Sequence, residues 1–88
     1  MSHRFRKLEL FQVGKAIKQV REFRGLSQYN LCSKMSAKSK SFLSRIENGR
    51  NLPSLQTIID ISKALQIRPH KLIHLAERIT IEQRKASR

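Results

Sequence analysis

The stretch Leu26–Gly49, LSQYNLCSKMSAKSKSFLSRIENG, predicts two short helices joined by a turn. Ser39 is the candidate N-cap of the second helix, because a serine hydroxyl accepts a hydrogen bond from a backbone N–H in the first helical turn. Leu43 and Ile46, three residues apart, are its predicted inward-facing pair. Gly49 ends it, since glycine readily takes the left-handed conformation that follows many helices. The pattern therefore places a compact helical pair at the centre of the chain.

Three more helices are predicted around this pair. The first runs from about Leu8 to Arg24, with apolar residues every three or four positions, and Gly25 ends it. Ser27 is the predicted cap of the second helix. Ser54 is the predicted cap of the fourth, and Pro69 suits the first position of the fifth. The predicted inward-facing residues are Leu10, Val13, Ile17, Val20, Phe23, Leu31, Cys32, Met35, Leu43, Ile46, Leu55, Ile58, Ile59, Leu65, Leu72, Ile73, Ala76 and Ile79.

These signals predict an all-α domain of five helices, because no strand pattern competes with them. Residues 1–7 are expected to form a basic N-terminal arm. Residues 8–79 are the predicted folded domain, and residues 80–88 a basic C-terminal tail that either extends the fifth helix or frays. The arm either reaches along DNA or into its minor groove, or it is a disordered solubilising tail.

Composition points to an anionic partner. The 88 residues contain 19 Lys and Arg against six Asp and Glu, which gives a formal charge of +13. Such a charge favours nucleic acid or an anionic membrane surface. No apolar run approaches the roughly 20 residues that span a bilayer. Cys32 is the only cysteine, so an intrachain disulfide is excluded, and we expect a cytoplasmic protein without a membrane partner.

The second helix of the central pair carries polar and cationic residues opposite its apolar pair. These residues are Lys40, Ser41, Ser44 and Arg45. An α-helix fits the major groove of B-DNA, where arginine or lysine can donate to guanine O6 and N7. The pattern therefore predicts a helix-turn-helix that binds double-stranded DNA. The alternative is an ordinary solvated helix face.

From Val13 to about Ala76 the sequence resembles the phage-repressor and Cro-like helix-turn-helix regulators, the XRE-type family. The matching residues are Gly14-Lys15, Ile17, Arg21, Gly25-Leu26-Ser27-Gln28, Leu31, Ser44-Arg45-Ile46-Glu47-Asn48-Gly49, Pro53-Ser54-Leu55 and Ala64-Leu65. The resemblance implies a five-helix lambda-repressor-like fold. It also implies a sequence-specific transcriptional regulator, most simply a small dimeric repressor, controller or antitoxin, with no enzymatic activity and no cofactor.

The resemblance further implies roles for individual residues. Gln28 matches a position that contacts phosphate near the reading helix, and residues 48–51 match a loop whose amides and side chains hold the sugar-phosphate backbone. Arg21 and Glu47 match a pair that forms an ion bridge. The predicted DNA-binding set is Gln28, Lys38, Ser39, Lys40, Ser41, Phe42, Ser44, Arg45, Asn48, Arg50 and Asn51.

Three positions depart from the family pattern. The turn is one residue longer than usual and lacks its customary glycine, so Ser36, Ala37 or Lys38 must form it. Phe42 replaces a commonly polar residue, and it either touches thymine methyl groups or enlarges the core. Cys32 replaces a small alanine, and we expect a compact core residue in preference to a redox sensor.

The fifth helix carries two weaker signals. His70, His74 and Glu77 have a spacing that brings metal ligands to one face, but no fourth ligand is near in the sequence, so no metal is predicted. The helix is also more apolar than one buried stripe requires. The candidates for a homodimer interface are Ile73, Leu75, Ile79 and Ile81. A two-fold dimer would favour a palindromic operator.

Two other classes of function compete with DNA binding. The first is a protein-interaction module that uses the helix-turn-helix as a scaffold for a partner such as a toxin or another regulator. The second is RNA binding, which the sequence favours less because only one Tyr and four Phe are available to stack on bases. Catalysis is not predicted, since no nucleophile–base pattern or phosphate-binding loop is present in the sequence.

Overall fold

The protein is all-helical in the computed structural model, which describes residues 4–35 and 39–86. The five helices are α1 (Arg4–Phe23), α2 (Gln28–Ser33), α3 (Lys40–Glu47), α4 (Leu55–Leu65) and α5 (Pro69–Ala86). No strand occurs within those two ranges, so the predicted fold class and helix order are confirmed. A membrane-spanning helix is likewise absent from the described part of the chain.

The first helix is longer than predicted, and the fifth takes the longer of its two predicted extents. α1 begins at Arg4 instead of Leu8, so residues 4–7 of the expected arm are helical. α5 continues through residues 80–86, so this part of the tail extends the helix. Arginine, lysine and glutamine are good helix formers, which explains why basic segments at either end extend the helices. Residues 1–3 and 87–88 lie outside the described residues.

Serine side chains begin the three inner helices, as predicted. Ser27, Ser39 and Ser54 each accept a hydrogen bond from the backbone N–H three residues later. The Asn30 side chain completes the N-terminal cap of α2 by accepting a hydrogen bond from the Ser27 backbone N–H at 3.4 Å. The Thr57 hydroxyl lies 3.0 Å from that of Ser54. Local polar chemistry therefore determines where the helices around the central turn begin.

Glycines with a left-handed backbone conformation follow α1 and α3, where glycine was predicted to end the helix. A residue other than glycine follows α4 in the same conformation, which was not predicted. Gly25 has φ 73° and Gly49 φ 75°, the conformation that glycine takes without strain. Gln66, after α4, also has a left-handed φ of 59°. Arg24 braces this turn, since its guanidinium donates to the carbonyls of Leu65 at 2.9 Å and Gln66 at 3.1 Å. No pattern in the sequence indicates this bond, because Arg24 and Leu65 are 41 positions apart.

One core joins all five helices. Its members are Ala16, Ile17, Val20, Leu31, Cys32, Met35, Leu43, Ile46, Ile58, Ile61, Leu65, Leu72, Ala76 and Ile79. Ile61 is fully buried and was not predicted. Three predicted core residues are wrong: Phe23, Leu55 and Ile73 are 84%, 69% and 45% exposed. Phe23 ends α1 and Leu55 begins α4, and at a helix end the apolar spacing no longer guarantees a packing neighbour.

The close approach of α1 and α3 depends on Gly14. A Cβ atom at this position would overlap the carbonyl oxygen of Ile46 and lie 3.0 Å from the Cα of Glu47. Both atoms belong to the backbone, so neither can rotate away as a side chain would. The absence of a side chain at Gly14 thus lets α3 lie directly on α1 and determines how far its outer face projects.

Candidate nucleic-acid interface

α3 presents a cationic edge to solvent. Leu43 and Ile46 are fully buried, as predicted. Lys40 and Arg45 lie on the opposite side and are exposed. An exposed Ser41 lies beside them. A helix that docks through one apolar stripe and leaves short or cationic side chains outside has the form needed to enter a major groove.

Phe42 and Ser44 lie at the two borders of this edge. Phe42 is half-buried and packs against the core, which supports the core alternative for this residue. Contact of its ring with a thymine methyl stays a prediction. Ser44 is also half-buried, and its hydroxyl accepts from the Asn48 side-chain amide at 3.3 Å. Its own hydroxyl hydrogen remains able to turn towards a ligand.

The loop after α3 uses its backbone amides internally. The N–H of Gly49 donates to the Ile46 carbonyl at 3.0 Å, and that of Arg50 to the Arg45 carbonyl at 2.8 Å. The Asn51 N–H also points at the Arg45 carbonyl, at 3.4 Å. These amides close the end of α3. The predicted phosphate contacts of this loop therefore depend on side chains, of which that of Arg50 is exposed.

Arg45 is held at one side by Asn51. With the Asn51 amide oriented so that its oxygen faces Arg45, the oxygen accepts from the guanidinium Nε at 3.1 Å. In the same orientation the amide nitrogen donates to the Arg50 carbonyl at 3.1 Å. The two terminal nitrogens of Arg45 are the ones that a bidentate guanine contact requires. Sequence analysis did not foresee this bond, because it depends on the path of the loop.

A buried ion pair fixes the end of α3 to α1, and it confirms the bridge that the family resemblance implied. Arg21 donates to Glu47 through Nε at 2.8 Å and through a terminal nitrogen at 3.1 Å. The other terminal nitrogen donates to the Leu26 carbonyl at 2.7 Å. The hydrogen bond to Glu47 raises the pKa of Arg21 above its usual value, although burial acts in the opposite direction. The guanidinium offsets the repulsion between Glu47 and the negative end of the α3 dipole.

Gln28 belongs to the same network. Its side-chain amide donates to Oε1 of Glu47 at 2.9 Å, and the residue is half-buried at the start of α2. The network therefore ties α1, α2 and α3 together directly beneath the reading face. An amide nitrogen has two hydrogens, and the Glu47 bond takes one of them. A phosphate contact through the second one stays a prediction.

The remaining predicted residues divide between described and undescribed positions. Ser39 is exposed and caps α3, accepting from the Phe42 N–H at 3.1 Å. Asn48 is exposed, and its amide also donates to the Ser44 carbonyl at 2.9 Å. Lys38 and the rest of the unusual turn, Ser36 and Ala37, lie outside the described residues.

The metal and dimer signals on α5 give different results. His74 Nδ1 lies 3.7 Å from a carboxylate oxygen of Glu77, and both side chains are exposed. Within residues 4–35 and 39–86, no group of three or more His, Cys, Asp or Glu side chains is placed to hold a metal ion.

Of the four candidates for the homodimer interface, Ile73 and Ile81 are 45% exposed, whereas Ile79 is only 9% exposed and belongs to the core. Ile79 is therefore corrected from the candidate interface to the core.

Comparison with known proteins agrees with this geometry. The profile of the helix-turn-helix family matches residues 17–72, well over half of the chain. The chain belongs to the helix-turn-helix family.

A solved relative shares both the fold and a substantial part of the sequence. It is the restriction–modification controller protein C.AhdI from Aeromonas hydrophila, which is 32% identical. The match covers 72% of this chain and 94% of that protein, with a TM-score of 0.67. No curated protein sequence matches the chain. The family and this relative identify the chain as a DNA-binding transcriptional regulator of helix-turn-helix type.

Proposed function

We propose that this helix-turn-helix protein is a small cytoplasmic regulator that binds a specific palindromic operator as a homodimer. It would act as a repressor or autoregulator, of the controller type that C.AhdI represents, without catalysis or a cofactor. The observation that carries the proposal is the exposed cationic edge of α3, held on a buried frame by Gly14 and the Arg21–Glu47 pair.

Different residues take different roles in this proposal. Arg45 and Lys40 read base edges, with Ser41 and Ser44 beside them. Each good bidentate contact is worth roughly 1–3 kcal/mol of discrimination. Phosphate contacts set the position of the helix on the duplex but carry no sequence information. The residues assigned to phosphate are Gln28, Lys38, Ser39, Asn48, Arg50 and Asn51.

The proposed dimer uses the exposed apolar side chains of α5. Ile73 and Ile81 are eight residues apart, so they lie within about 80° of each other around the helix and form one stripe. A two-fold dimer would place two copies of α3 about 34–36 Å apart, one turn of B-DNA. Sedimentation equilibrium of Ile73→Asp tests this, because a charge in the stripe should convert dimer to monomer. Ile73→Val is the control that keeps the surface apolar.

Selection of bound fragments from a randomised duplex pool tests the function itself. The expected result is one enriched motif with two-fold symmetry. Arg45→Ala should relax the preference at one position of each half-site. Lys40→Ala should weaken binding, and should lower the salt slope by about one if Lys40 contacts only phosphate. Lys63→Ala, an exposed lysine on α4, is the matched control that should change neither preference nor affinity.

Salt dependence separates this function from that of an interaction module. A protein that contacts about six to ten phosphates loses roughly 10³–10⁵ in affinity for duplex DNA between about 50 and 200 mM salt. A module that binds only a toxin or another regulator through its helices should show no tight duplex binding to lose. Failure to enrich any motif, together with weak and salt-insensitive duplex binding, would reject the regulator proposal.

A further inference from the structure

A long groove runs between α1 and α5, away from the candidate DNA interface. It consists of two adjoining cavities, of about 820 and 650 Å³, which share Gln19 and Leu75 in their walls. On the α5 side it extends from His70 to Gln83. Thirteen residue steps of α-helix correspond to about 20 Å. None of the predicted DNA-binding residues lines either cavity.

The groove combines apolar residues with cations. The apolar lining residues are Val20, Phe23, Ile67, Leu75 and Ile79. Phe23 stands out among them because 84% of its surface is exposed. The larger cavity also contains the cations Lys15, Lys71 and Arg78, against one carboxylate, Glu82. Such a surface is complementary to a partner with apolar side chains on one face and carboxylates beside them.

The groove lies on a different side of the molecule from the proposed DNA-binding surface. At about 100° per residue, Lys15, Gln19 and Phe23 lie on a face of α1 roughly 100–180° from Gly14, which contacts α3. On α5, the groove residues Lys71, Leu75 and Arg78 lie about 140–160° from Ile73, whereas Ile81 of the proposed dimer stripe lies only about 60° from Arg78. The chain therefore has room for another partner in the groove while DNA is bound.

We propose that the α1–α5 groove binds an acidic amphipathic helix of a partner protein. Its length of about 20 Å matches nearly four helical turns, and helices commonly dock their apolar face in such grooves. A second copy of this chain suits the groove less, because the chain has only six acidic residues with which to meet the cations of the groove. Nucleic acid suits it less than a peptide does, because most of the surface area that lines the two cavities is apolar and offers nothing to a phosphate.

A fluorescein-labelled model peptide of about 14 residues, long enough to fill the groove, provides the test. Leucines occupy one helical face of the peptide and glutamates the other. Two control peptides replace every glutamate by lysine or every leucine by serine. The acidic amphipathic peptide should bind in fluorescence anisotropy, whereas both controls should not. Binding of the leucine-free peptide would show that charge alone is responsible, and would overturn the proposal.

Two variants of the protein locate the binding. Lys71→Glu should weaken peptide binding roughly threefold to tenfold, because it replaces an attraction at the groove by a repulsion. Phe23→Ser should weaken it several-fold by removing an exposed apolar contact. Lys63→Glu is the matched control, since it makes the same charge change on α4 outside the groove. Circular dichroism melting of all three variants confirms that they are folded.

The same variants test whether nucleic acid or a second copy of the chain occupies the groove instead. Duplex affinity should change little, and equally, in Lys71→Glu and Lys63→Glu, because neither residue contacts DNA in the proposed function and both variants lose the same net positive charge. A selective loss of duplex binding in Lys71→Glu would make the groove a nucleic-acid site instead. If Lys71→Glu but not Lys63→Glu changes the molar mass of the assembly at sedimentation equilibrium, the groove is a contact between copies instead. Either result, or equal loss of peptide binding in both variants, overturns the proposal.

Discussion

At the residue scale, Glu47 illustrates how hydrogen bonds satisfy a carboxylate at a buried position. It accepts hydrogen bonds from Arg21 at 2.8 and 3.1 Å and from Gln28 at 2.9 Å. The Arg21 and Glu47 side chains are only 9% and 2% exposed. At such sites the loss of one partner is far more harmful than the pair is stabilising, because the remaining charge is left without compensation.

Arg21→Met should therefore destabilise the fold by about 3–5 kcal/mol. Methionine retains an unbranched apolar side chain of similar length but cannot neutralise Glu47. The free energy of unfolding from urea denaturation measures the effect. Lys18→Met is the matched control on the exposed side of α1 and should change stability by less than about 0.5 kcal/mol. A similar small change in Arg21→Met would show that the pair behaves like a surface salt bridge.

Cys32 should make the free energy of unfolding depend on pH, in a direction that the structure predicts. Burial, followed by the negative charge of Glu47, raises the pKa of its thiol. Because the pKa is higher in the folded state, the neutral thiol contributes fully to the free energy of unfolding below the unfolded pKa of about 8.5. This contribution to stability is lost as pH rises through the folded pKa. The unfolding free energy of the wild type minus that of Cys32→Ala should thus decline above about pH 8.5. A difference that is flat through pH 10 contradicts this prediction.

At the scale of elements, the docking of α3 on α1 depends on a missing side chain. Gly14→Ala would place a methyl group against backbone atoms of Ile46 and Glu47. We expect a loss of about 3 kcal/mol, near the upper end for overpacking, even though alanine favours a helix by roughly 0.5–1 kcal/mol. Denaturation of Gly14→Ala measures it, and duplex affinity should fall as well because α3 must move outward.

Gly25→Ala tests backbone strain alone, in contrast to the steric overlap that Gly14→Ala introduces. A Cβ atom there would meet nothing within 4 Å, but φ is +73°. The expected loss is only about 1–2 kcal/mol, from the left-handed conformation alone. Duplex binding should be unchanged, since α3 keeps its position. If the two alanine variants lose equal stability and equal duplex affinity, the close approach at Gly14 is not what positions α3.

The sequence alone predicted the features that depend on neighbours along the chain. Serine caps, apolar spacing and the glycine stops are local, and so the inner helices and the outward residues of α3 were foreseen. The Arg45–Asn51 bond was not, because it depends on the path of the loop after α3. The Gln28–Glu47 bond was not, because it joins two helices whose relative position is set by tertiary packing. The same holds for the bond of 2.6 Å between Gln12 and Gln83, 71 positions apart. The start of α1 was missed, and the extent of α5 stayed open, because the polar and basic ends have no apolar spacing to follow.

At the scale of the whole molecule, the charge of +13 acts on folding and on binding in opposite ways. Mutual repulsion among 19 basic residues destabilises the compact state, whereas the same charges attract DNA. Both effects are screened by salt, with a Debye length of about 10 Å at 0.1 M. Added salt should therefore stabilise the free protein while it weakens the complex.

Thermal unfolding at increasing concentrations of sodium chloride tests this. Between about 0.02 and 0.3 M salt the melting temperature of the free protein should rise by several degrees, where each 1 kcal/mol corresponds to about 4–8 °C for a domain of this size. With a saturating duplex present, the same series should lower the melting temperature, since bound DNA stabilises less as its affinity falls. Parallel changes in both series would show that charge repulsion does not limit the fold.

The packing of α1 against α5 has a consequence for synthesis on the ribosome. α1 makes its most extensive tertiary contact with the last helix of the domain. Translation at about 5–20 residues per second delays the arrival of that partner by several seconds, so the first helix emerges with its apolar side uncovered. Folding of this domain is therefore completed only after α5 has been synthesised. A nonsense codon before α5 should yield a product destined for proteolysis instead of a shortened but active regulator.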